Sequence, residues 1–292
     1  MGPILVLIEG LDEQHPVVRG LRASPQGGPH RPYSATMTDG TEVVICTTGV
    51  GPERAHLVSD QTIKRYEPSL VVSAGTCGSL THDIERHDWV LTGEVRALSA
   101  QGQNGRDEVG AVTSQVGDRL NNLAQALGAG DRPPRFHSGT LVTVSGEPVV
   151  DAADKEAIVQ AHGAVAVDME SYGIAMAAAE NKVPWLVARV AVDTPTLALP
   201  DFGDLDAVTG RPSLWRIGKF VLAHPLTAPF VLYRLWETIQ IYARHLVRVL
   251  PALTQSPDTD SKAPLVAANE GEGNSSAKRA DPSAPASSEN RH

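Results

Sequence analysis

The sequence of 292 residues has few cysteines, few aromatic residues and no long apolar run. Its two cysteines, Cys46 and Cys77, cannot form a disulfide framework, which is typical of a protein in a reducing compartment. No run of about 18 apolar residues occurs, so no membrane-spanning segment is predicted. The first 20 residues lack the basic and then apolar pattern of a secretory signal. A cytoplasmic location is therefore expected.

Basic residues are also in short supply. Lys and Arg total 25 against 34 Asp and Glu, which gives a net charge of −9 with neutral histidines. A generic nucleic-acid binder needs a basic surface, so no nucleic-acid partner is predicted. The ten histidines lack metal-ligand spacing, and neither cysteine has a nearby ligand residue. No metal and no organic cofactor is therefore expected.

Short apolar segments rich in β-branched residues dominate the first 200 residues. They predict buried strands at residues 4–8, 43–47, 70–74, 89–92, 139–144 and 185–192. Helical patterns lie between several of them, at residues 52–66, 151–161 and 168–181. Alternating strands and helices predict an α/β domain at residues 1–210, with a sheet covered by helices on both faces.

The segment 211–250 differs from the rest in composition. It contains six basic residues and one acid, together with six aromatic residues. An amphipathic helix is predicted from residue 230 to 250 and a shorter one around residues 214–223. This C-terminal helical extension, residues 211–254, either packs on the core or a subunit, or meets a membrane or an apolar substituent. Residues 255–292 are polar and predict a disordered tail.

Two glycine loops follow predicted strands, at residues 48–51 (TGVG) and 75–79 (GTCGS). Glycine lets backbone N–H groups approach a ligand closely, although a tight turn after a buried strand needs glycine as well. Neither loop matches the phosphate-binding loop of nucleotide hydrolases or the dinucleotide-binding fingerprint.

Three acids lie where predicted strands end. Asp168 and Glu170 stand at a strand-to-helix junction, where an acid either caps the helix or accepts hydrogen bonds from ribose hydroxyls. Asp193 ends the strand at residues 185–192, and it is either a turn former or, if burial raises its pKa, a proton donor.

Taken in chain order, these segments resemble the nucleoside phosphorylase and nucleosidase superfamily. The methylthioadenosine/S-adenosylhomocysteine nucleosidases and the hopanoid-associated phosphorylase-like proteins look most similar. The resemblance covers roughly residues 3–200. It rests on residues 10–13 (GLDE), 48–51, 74–78 (AGTCG), 139–146 (GTLVTVSG), 167–170 (VDME) and 188–193 (ARVAVD).

The resemblance implies a three-layer α/β fold with a central mixed β-sheet, and it implies roles for several residues. Glu170 would bind the ribose hydroxyls, Met169 would line the ribose face, and Asp193 would be the general acid at purine N7. The other implied substrate-binding residues are Val149 and Val150 beside the base, Thr76 facing the nucleophile, and Gly75 in the second glycine loop. Such roles suit N-glycosidic cleavage, in which the sugar becomes oxocarbenium-like and the purine leaves with negative charge.

The nucleophile is less well defined. Hydrolytic relatives have a water-activating Glu where alignment places Gln14, and a glutamine cannot act as a base, so the adjacent Glu13 is the alternative. Phosphorolytic relatives bind phosphate with arginines, but this sequence has Ser73 at one such position and Arg19 as the nearest arginine to the other. Hydrolysis and phosphorolysis, with inorganic phosphate as co-substrate, therefore both stay open.

The expected function is removal of adenine from a 5′-substituted adenosine of the methylthioadenosine, S-adenosylhomocysteine or adenosyl-lipid type. The alternative is a nucleoside-binding sensor with the same fold. The expected partners are a small purine nucleoside and further copies of the chain in a homodimer or larger homo-oligomer. Peripheral contact of residues 211–250 with the inner face of a membrane is a further hypothesis.

Overall fold

A computed structural model describes residues 2–99, 108–129, 133–146, 148–195 and 214–253. The strands are β1 Ile4–Ile8, β2 Ser24–Pro25, β3 Tyr33–Thr36, β4 Glu42–Thr47, β5 Leu70–Ser79, β6 Trp89–Thr92, β7 Glu94–Leu98, β8 Glu108–Thr113, β9 Phe136–His137, β10 Leu141–Val144, β11 Ala166–Asp168 and β12 Trp185–Asp193. The α-helices are α1 Leu11–Leu21, α2 Pro52–Tyr66, α3 Gly117–Gly128, α4 Ala152–His162, α5 Ser171–Glu180, α6 Leu214–Ala223 and α7 Ala228–Val249, and a 3₁₀ turn follows at Leu250–Leu253.

The strands form one mixed sheet. Its order is β2-β3-β4-β1-β5-β11-β10-β7-β8, and β12 pairs with β5 and β6. Strand β5 runs parallel to β1 and β12 but antiparallel to β11. Helices α1, α3 and α7 contribute to the apolar cluster on one face, and α2 and α5 contribute to the cluster on the other. The prediction of a three-layer α/β fold with a central mixed sheet is confirmed.

Strand β5 is longer than the apolar pattern predicts, because it continues through the glycine loop to Ser79. Glycines weaken a strand, and a glycine-rich end is therefore easily interpreted as a loop. Here the strand persists since β12 pairs with it from Trp185 onward. The extension places Thr76 and Ser79 at the carboxyl end of the sheet, which is the edge where open α/β sheets bind ligands.

The helices agree with the sequence patterns to different degrees. Helix α2 has the predicted bounds, because Pro52 suits a first helical turn and Gly51 precedes it with a φ of 95°. Helix α5 begins only at Ser171, since Asp168 belongs to β11. The sequence patterns did not identify α1, α3, β7 or β8. Helix α1 contains Pro16, which argues against a helix interior.

The C-terminal helix α7 changes character along its length. Its second half is buried, with Tyr242, Leu246 and Val249 in the same apolar cluster as α1. The indole of Trp89 donates a hydrogen bond to His245 Nδ1 at 3.3 Å. Trp236, in the first half of the helix, is 57 % exposed. Helix α7 is thus part of the core layer at its carboxyl end and solvent-facing at its start.

Two expectations concern parts of the chain outside the described residues. The boundary at residue 210 and the tail at residues 255–292 both fall there. Among the described helices, none combines the length and the apolar character that crossing a bilayer requires.

Candidate active site

Arg189 lies at the centre of a buried cluster of acids. Its Nη2 is 2.9 Å from Asp168 Oδ2 and 3.7 Å from Glu170 Oε2. Its Nη1 donates a hydrogen bond to the carbonyl oxygen of Thr76 at 3.1 Å. Burial alone would lower the pKa of Arg189, but the surrounding carboxylates raise it above its usual range. Arg189 is thus a fixed positive charge among several acids.

Asp168 holds the frame of this cluster together. Its Oδ1 accepts hydrogen bonds from Thr143 Oγ1 at 2.7 Å and from the Ser171 backbone N–H at 3.3 Å. The second of these satisfies a backbone donor in the first turn of α5, which is the work of a helix cap. Asp168 therefore caps helix α5, which is one of the two roles that the sequence left open for the acids at this junction.

Glu170 is oriented differently, although it occupies the N-cap position of α5. Its Oε1 accepts a hydrogen bond from the Gly51 backbone N–H at 3.1 Å, which joins it to the first glycine loop. Burial, and next the charge of Glu9, raise the pKa of Glu170 well above its usual value. Burial and the charge of Glu13 raise the pKa of Glu9 to about 7.

The structure distinguishes Glu13 from Gln14. Glu13 Oε1 accepts hydrogen bonds from Thr76 Oγ1 at 2.7 Å and from the Thr76 backbone N–H at 3.2 Å. Its Oε2 is buried and has no hydrogen-bond partner in the described part of the chain. Gln14 instead donates to the Arg31 carbonyl oxygen at 3.0 Å. Helix α1 thus turns Glu13 toward β5 and the acid cluster, and it turns Gln14 toward Arg31.

Gly75 permits the close approach of these groups. It has a φ of 151°, and a Cβ atom there would lie 2.6 Å from both Arg189 Nη1 and Glu13 Oε2. Real Cβ contacts are almost never under 3.0 Å. Glycine is thus required at position 75 by both the backbone and the cluster.

Asp193 lies further along the same sheet edge. A β-bulge between Ala191 and Asp193 places the aspartate opposite Gly78 on β5. Bulges often re-aim a side chain next to a functional site. The carboxylate accepts hydrogen bonds from the Ser79 backbone N–H at 3.2 Å and from Lys155 Nζ at 2.7 Å. Asp193 is therefore a buried strand-end acid with a charged partner.

The other predicted residues lie around these groups. Val149 is buried in an apolar cluster on which Met169 packs, and Val150 beside it is half-buried. Thr76 and Ser79, which bind Glu13 and Asp193, are three residues apart on β5, which corresponds to roughly 10 Å along a strand.

A family model described as the phosphorylase superfamily matches residues 7–209. The chain belongs to the phosphorylase superfamily. This confirms the resemblance inferred from the sequence motifs.

Three relatives illustrate the match. A 5′-methylthioadenosine/S-adenosylhomocysteine nucleosidase of Staphylococcus carnosus is 24 % identical over 162 residues, which are 53 % of this chain and 70 % of the relative. One from Chromohalobacter salexigens is 28 % identical over 163 residues, 53 % of this chain and 68 % of the relative. The structure of futalosine hydrolase of Helicobacter pylori is 17 % identical and superposes with a TM-score of 0.62, covering 86 % of this chain and 97 % of that one.

A cavity of about 520 Å³ adjoins the acid cluster of this phosphorylase-superfamily chain. It reaches the cluster through Thr143, which binds Asp168, and through Pro52 and Gly173, which are near Gly51 and Glu170 in sequence. Neither Glu170 nor Asp193 is among the residues that line it. Its lining also includes Glu53, His56, Ala97, Leu98, Ser99, Val109, Ser145, Tyr172 and Met176.

Three charged residues of the candidate site received no role from the sequence. Arg189 stands inside the apolar strand β12, Lys155 is on α4, and Glu9 directly follows β1. A charge inside a buried strand was the available signal for Arg189, because such a charge needs partners. Within the described ranges, no group of three or more His, Cys, Asp or Glu side chains could hold a metal ion.

Proposed function

We propose that this chain hydrolyses the N-glycosidic bond of an adenine nucleoside that carries a substituent at the 5′ position. The observation that carries the proposal is the environment of Glu13. One carboxylate oxygen is fixed by Thr76, and the other, Oε2, is buried without a partner among the described residues. An unsatisfied buried acceptor of this kind suits a water molecule, from which it can take a proton.

Glu13 has the properties of a general base. Burial raises its pKa, while Arg189 and the Thr76 hydrogen bonds lower it. A carboxylate with a raised pKa binds a proton more strongly, and so activates water better, than an ordinary glutamate. In the proposed reaction Glu13 removes a proton from water as that water attacks C1′ of the sugar.

The other roles follow the predicted set. Glu170, held by Gly51, accepts hydrogen bonds from the ribose hydroxyls, and Met169 covers the sugar face. Val149 and Val150 flank the base. Asp193 protonates purine N7, which removes the negative charge that the base gains as the C1′–N9 bond breaks. These assignments are consistent with the curated relatives, which are named nucleosidases.

Charge in the acid cluster favours hydrolysis over phosphorolysis. Four carboxyl groups, those of Glu9, Glu13, Asp168 and Glu170, surround one guanidinium. That guanidinium is already paired with Asp168. Phosphate would compete with four carboxyl groups for this one guanidinium and would be repelled by those that are ionised, so it is a poor co-substrate for this site.

The test is adenine release from methylthioadenosine with and without inorganic phosphate. We expect release in both conditions, and a reduction of kcat by about 10²-fold or more in Glu13→Gln, as for the loss of a general base. Glu67→Gln, which removes one acid at the exposed end of α2, is the control. Release only with phosphate identifies a phosphorylase. Nucleoside binding without release by the wild-type protein identifies the sensor.

The cavity beside the acid cluster is the proposed site for the 5′ substituent. Leu98, Val109 and Met176 give it an apolar lining. Val109 is 66 % exposed. Exposed apolar side chains at a cavity mouth suit coverage by a second copy of the chain. Light scattering should give the mass of a homo-oligomer for the wild type and a smaller mass for Val109→Glu.

An adenosyl-lipid is the proposed substrate within this class, because α6 and α7 carry an apolar surface. We define the aromatic patch as the exposed residues Leu222, Leu226, Phe230, Tyr233 and Trp236. Arg234 stacks over the Phe230 ring, with Cζ 5.1 Å from the centroid. Aromatic and leucine side chains with basic neighbours suit the interface of an anionic bilayer.

Vesicle binding tests this membrane contact. We expect the protein to sediment with vesicles that contain anionic lipid and less with neutral vesicles. Trp236→Glu should reduce sedimentation, whereas Leu57→Glu, an exposed apolar position on α2, should not. Equal sedimentation of the wild type and Trp236→Glu excludes the patch as the contact.

A further inference from the structure

Lys155 is a lysine that is 1 % exposed, next to the proposed general acid. Its Nζ lies 2.7 Å from Asp193 Oδ2. Lysine is rarely buried, and when it is, it is normally paired. We propose that Lys155 is a positioning residue of the reaction, which returns to Asp193 the proton that the departing purine takes. This inference rests on the proposed function.

The position of Lys155 is fixed by local structure. Asp151 caps α4, since its Oδ1 accepts a hydrogen bond from the Ala153 backbone N–H at 2.7 Å. Lys155 follows one turn later, and its backbone N–H bonds to the Asp151 carbonyl oxygen. The capped helix thus holds the lysine at the end of β12, where its side chain meets Asp193.

The hydrogen bonds of Asp193 make the lysine necessary for acid catalysis. Oδ1 accepts from the Ser79 N–H and Oδ2 accepts from Lys155, so in this arrangement the carboxylate is an acceptor at both oxygens. An ionised carboxylate has no proton to give. The adjacent ammonium group of Lys155 carries three protons. The pair together therefore contains the proton that the carboxylate alone lacks.

Stability gives no sufficient reason for this pair. A buried ion pair is often no more stabilising than apolar side chains of the same volume, because both charges must be removed from water. Ile158 on the same helix belongs to an apolar cluster with Val149, and a flexible methionine is the apolar side chain that adapts best to such surroundings. A lysine here is better explained by chemistry than by packing.

The steps balance in protons and electrons. Lys155 Nζ passes one proton to the ionised Asp193 carboxylate and becomes a neutral amine. As the C1′–N9 bond breaks, its electron pair leaves with the purine, and N7 takes that proton from Asp193, which is again a carboxylate. Glu13 gains the proton of the attacking water. After product release, Glu13 loses that proton to solvent and Lys155 takes one from solvent.

Leaving groups of different basicity test the role. The two substrates are methylthioadenosine and the 4-nitrophenyl glycoside of 5-methylthioribose, whose nitrophenolate leaves without a proton. We expect Lys155→Met to lower kcat for methylthioadenosine by about tenfold or more, with KM changed by less than about threefold. On the nitrophenyl substrate its kcat should stay within about threefold of the wild type. Glu13→Gln removes the base that activates water, so this variant should be slow on both substrates.

Lys155→Arg separates proton return from charge alone. Arginine keeps the positive charge but does not release its proton, so this variant should stay slow on methylthioadenosine. The double variant Lys155→Met with Asp193→Asn should be no slower than Asp193→Asn, because the two residues act in one step. Thermal unfolding of each variant verifies that it is folded.

Several results would overturn the role. Equal losses of Lys155→Met on both substrates show a merely structural lysine. Full activity of Lys155→Arg shows that the positive charge alone is needed and that Lys155 transfers no proton. If Lys155→Met does not fold, the Lys155→Arg result on the two substrates decides alone. If the wild-type protein releases no adenine but cleaves the nitrophenyl substrate, this inference falls and glycosidic cleavage stands. If it cleaves neither substrate, the proposed function falls as well.

Discussion

Asp168 Oδ2 and Arg189 Nη2 lie 2.9 Å apart, and both side chains are almost completely buried. The same carboxylate binds Thr143 on β10 and the first turn of α5. One side chain therefore connects β10, β11, β12 and α5. A buried charge with several partners is costly to leave unpaired.

We expect Asp168→Ala to lower the free energy of unfolding by about 3–5 kcal/mol, because the buried charge of Arg189 loses its ion-pair partner. The control is Lys64→Ala, which removes the exposed ion pair of Lys64 with Asp60. That pair should contribute less than about 1 kcal/mol. Urea unfolding measures both. A loss for Asp168→Ala no larger than the control value would contradict the role of Asp168 as the anchor of the cluster.

Gly75→Ala tests the close approach of Glu13 and Arg189. The added methyl group would meet Arg189 Nη1 and Glu13 Oε2 at 2.6 Å and would strain a backbone with a φ of 151°. We expect adenine release to fall by about 10²-fold, because the base is displaced. Gly128→Ala on α3 meets no atom within 4 Å and is the matched control. Wild-type turnover by Gly75→Ala would show that the cluster tolerates the displacement.

Glu9 makes stability depend on pH. Burial raises its pKa from 4.5 to about 7, so the folded state binds a proton that the unfolded state has lost. The stability that this proton provides is present below about pH 4.5 and is lost as the pH rises through about 7. Glu9→Gln should therefore be more stable than the wild type at pH 8, by on the order of 1 kcal/mol.

Unfolding curves of Glu9→Gln and the wild type from pH 5 to pH 8 measure the effect as a difference. Glu67→Gln, at the exposed end of α2, serves as the control for removing one acid. The prediction is wrong if the difference between Glu9→Gln and the wild type is constant over this range.

Tyr242 places a hydroxyl in the core. The residue is fully buried under the sheet, and the hydroxyl has no hydrogen-bond partner among the described residues. Burying an unsatisfied hydroxyl costs about 1–3 kcal/mol. We expect Tyr242→Phe to raise the thermal midpoint or leave it unchanged, whereas Tyr233→Phe, on the exposed side of α7, should have no effect. A lower midpoint for Tyr242→Phe would indicate a partner for the hydroxyl.

The fold was accessible from the sequence where local signals agree with tertiary structure. Helix α2 begins at Pro52 and its predicted bounds match, because the glycine and proline that start it are local signals. The sequence does not predict helix α1, because Pro16 within it is a local signal against a helix. The end of β5 was missed because only its pairing with β12 makes a glycine-rich segment extended.

The site was accessible only in part, for a similar reason. Motif order drew attention to Glu170 and Asp193, but Lys155 and Glu9 are ordinary polar residues in the sequence. Their importance comes from burial and from partners far along the chain, such as Asp193 for Lys155. The choice between Glu13 and Gln14 depended on the rotation of α1, which no local pattern determines.

Strand β5 carries Thr76 and Ser79, the contacts of the proposed water-activating acid and of the proposed leaving-group acid. A rigid backbone therefore sets the separation of the two halves of the reaction, independently of the surrounding loops. Insertions or substitutions around the neighbouring cavity can change which sugar substituent fits without disturbing that separation. Such a chain can acquire new substrates during evolution while it keeps a single chemical step.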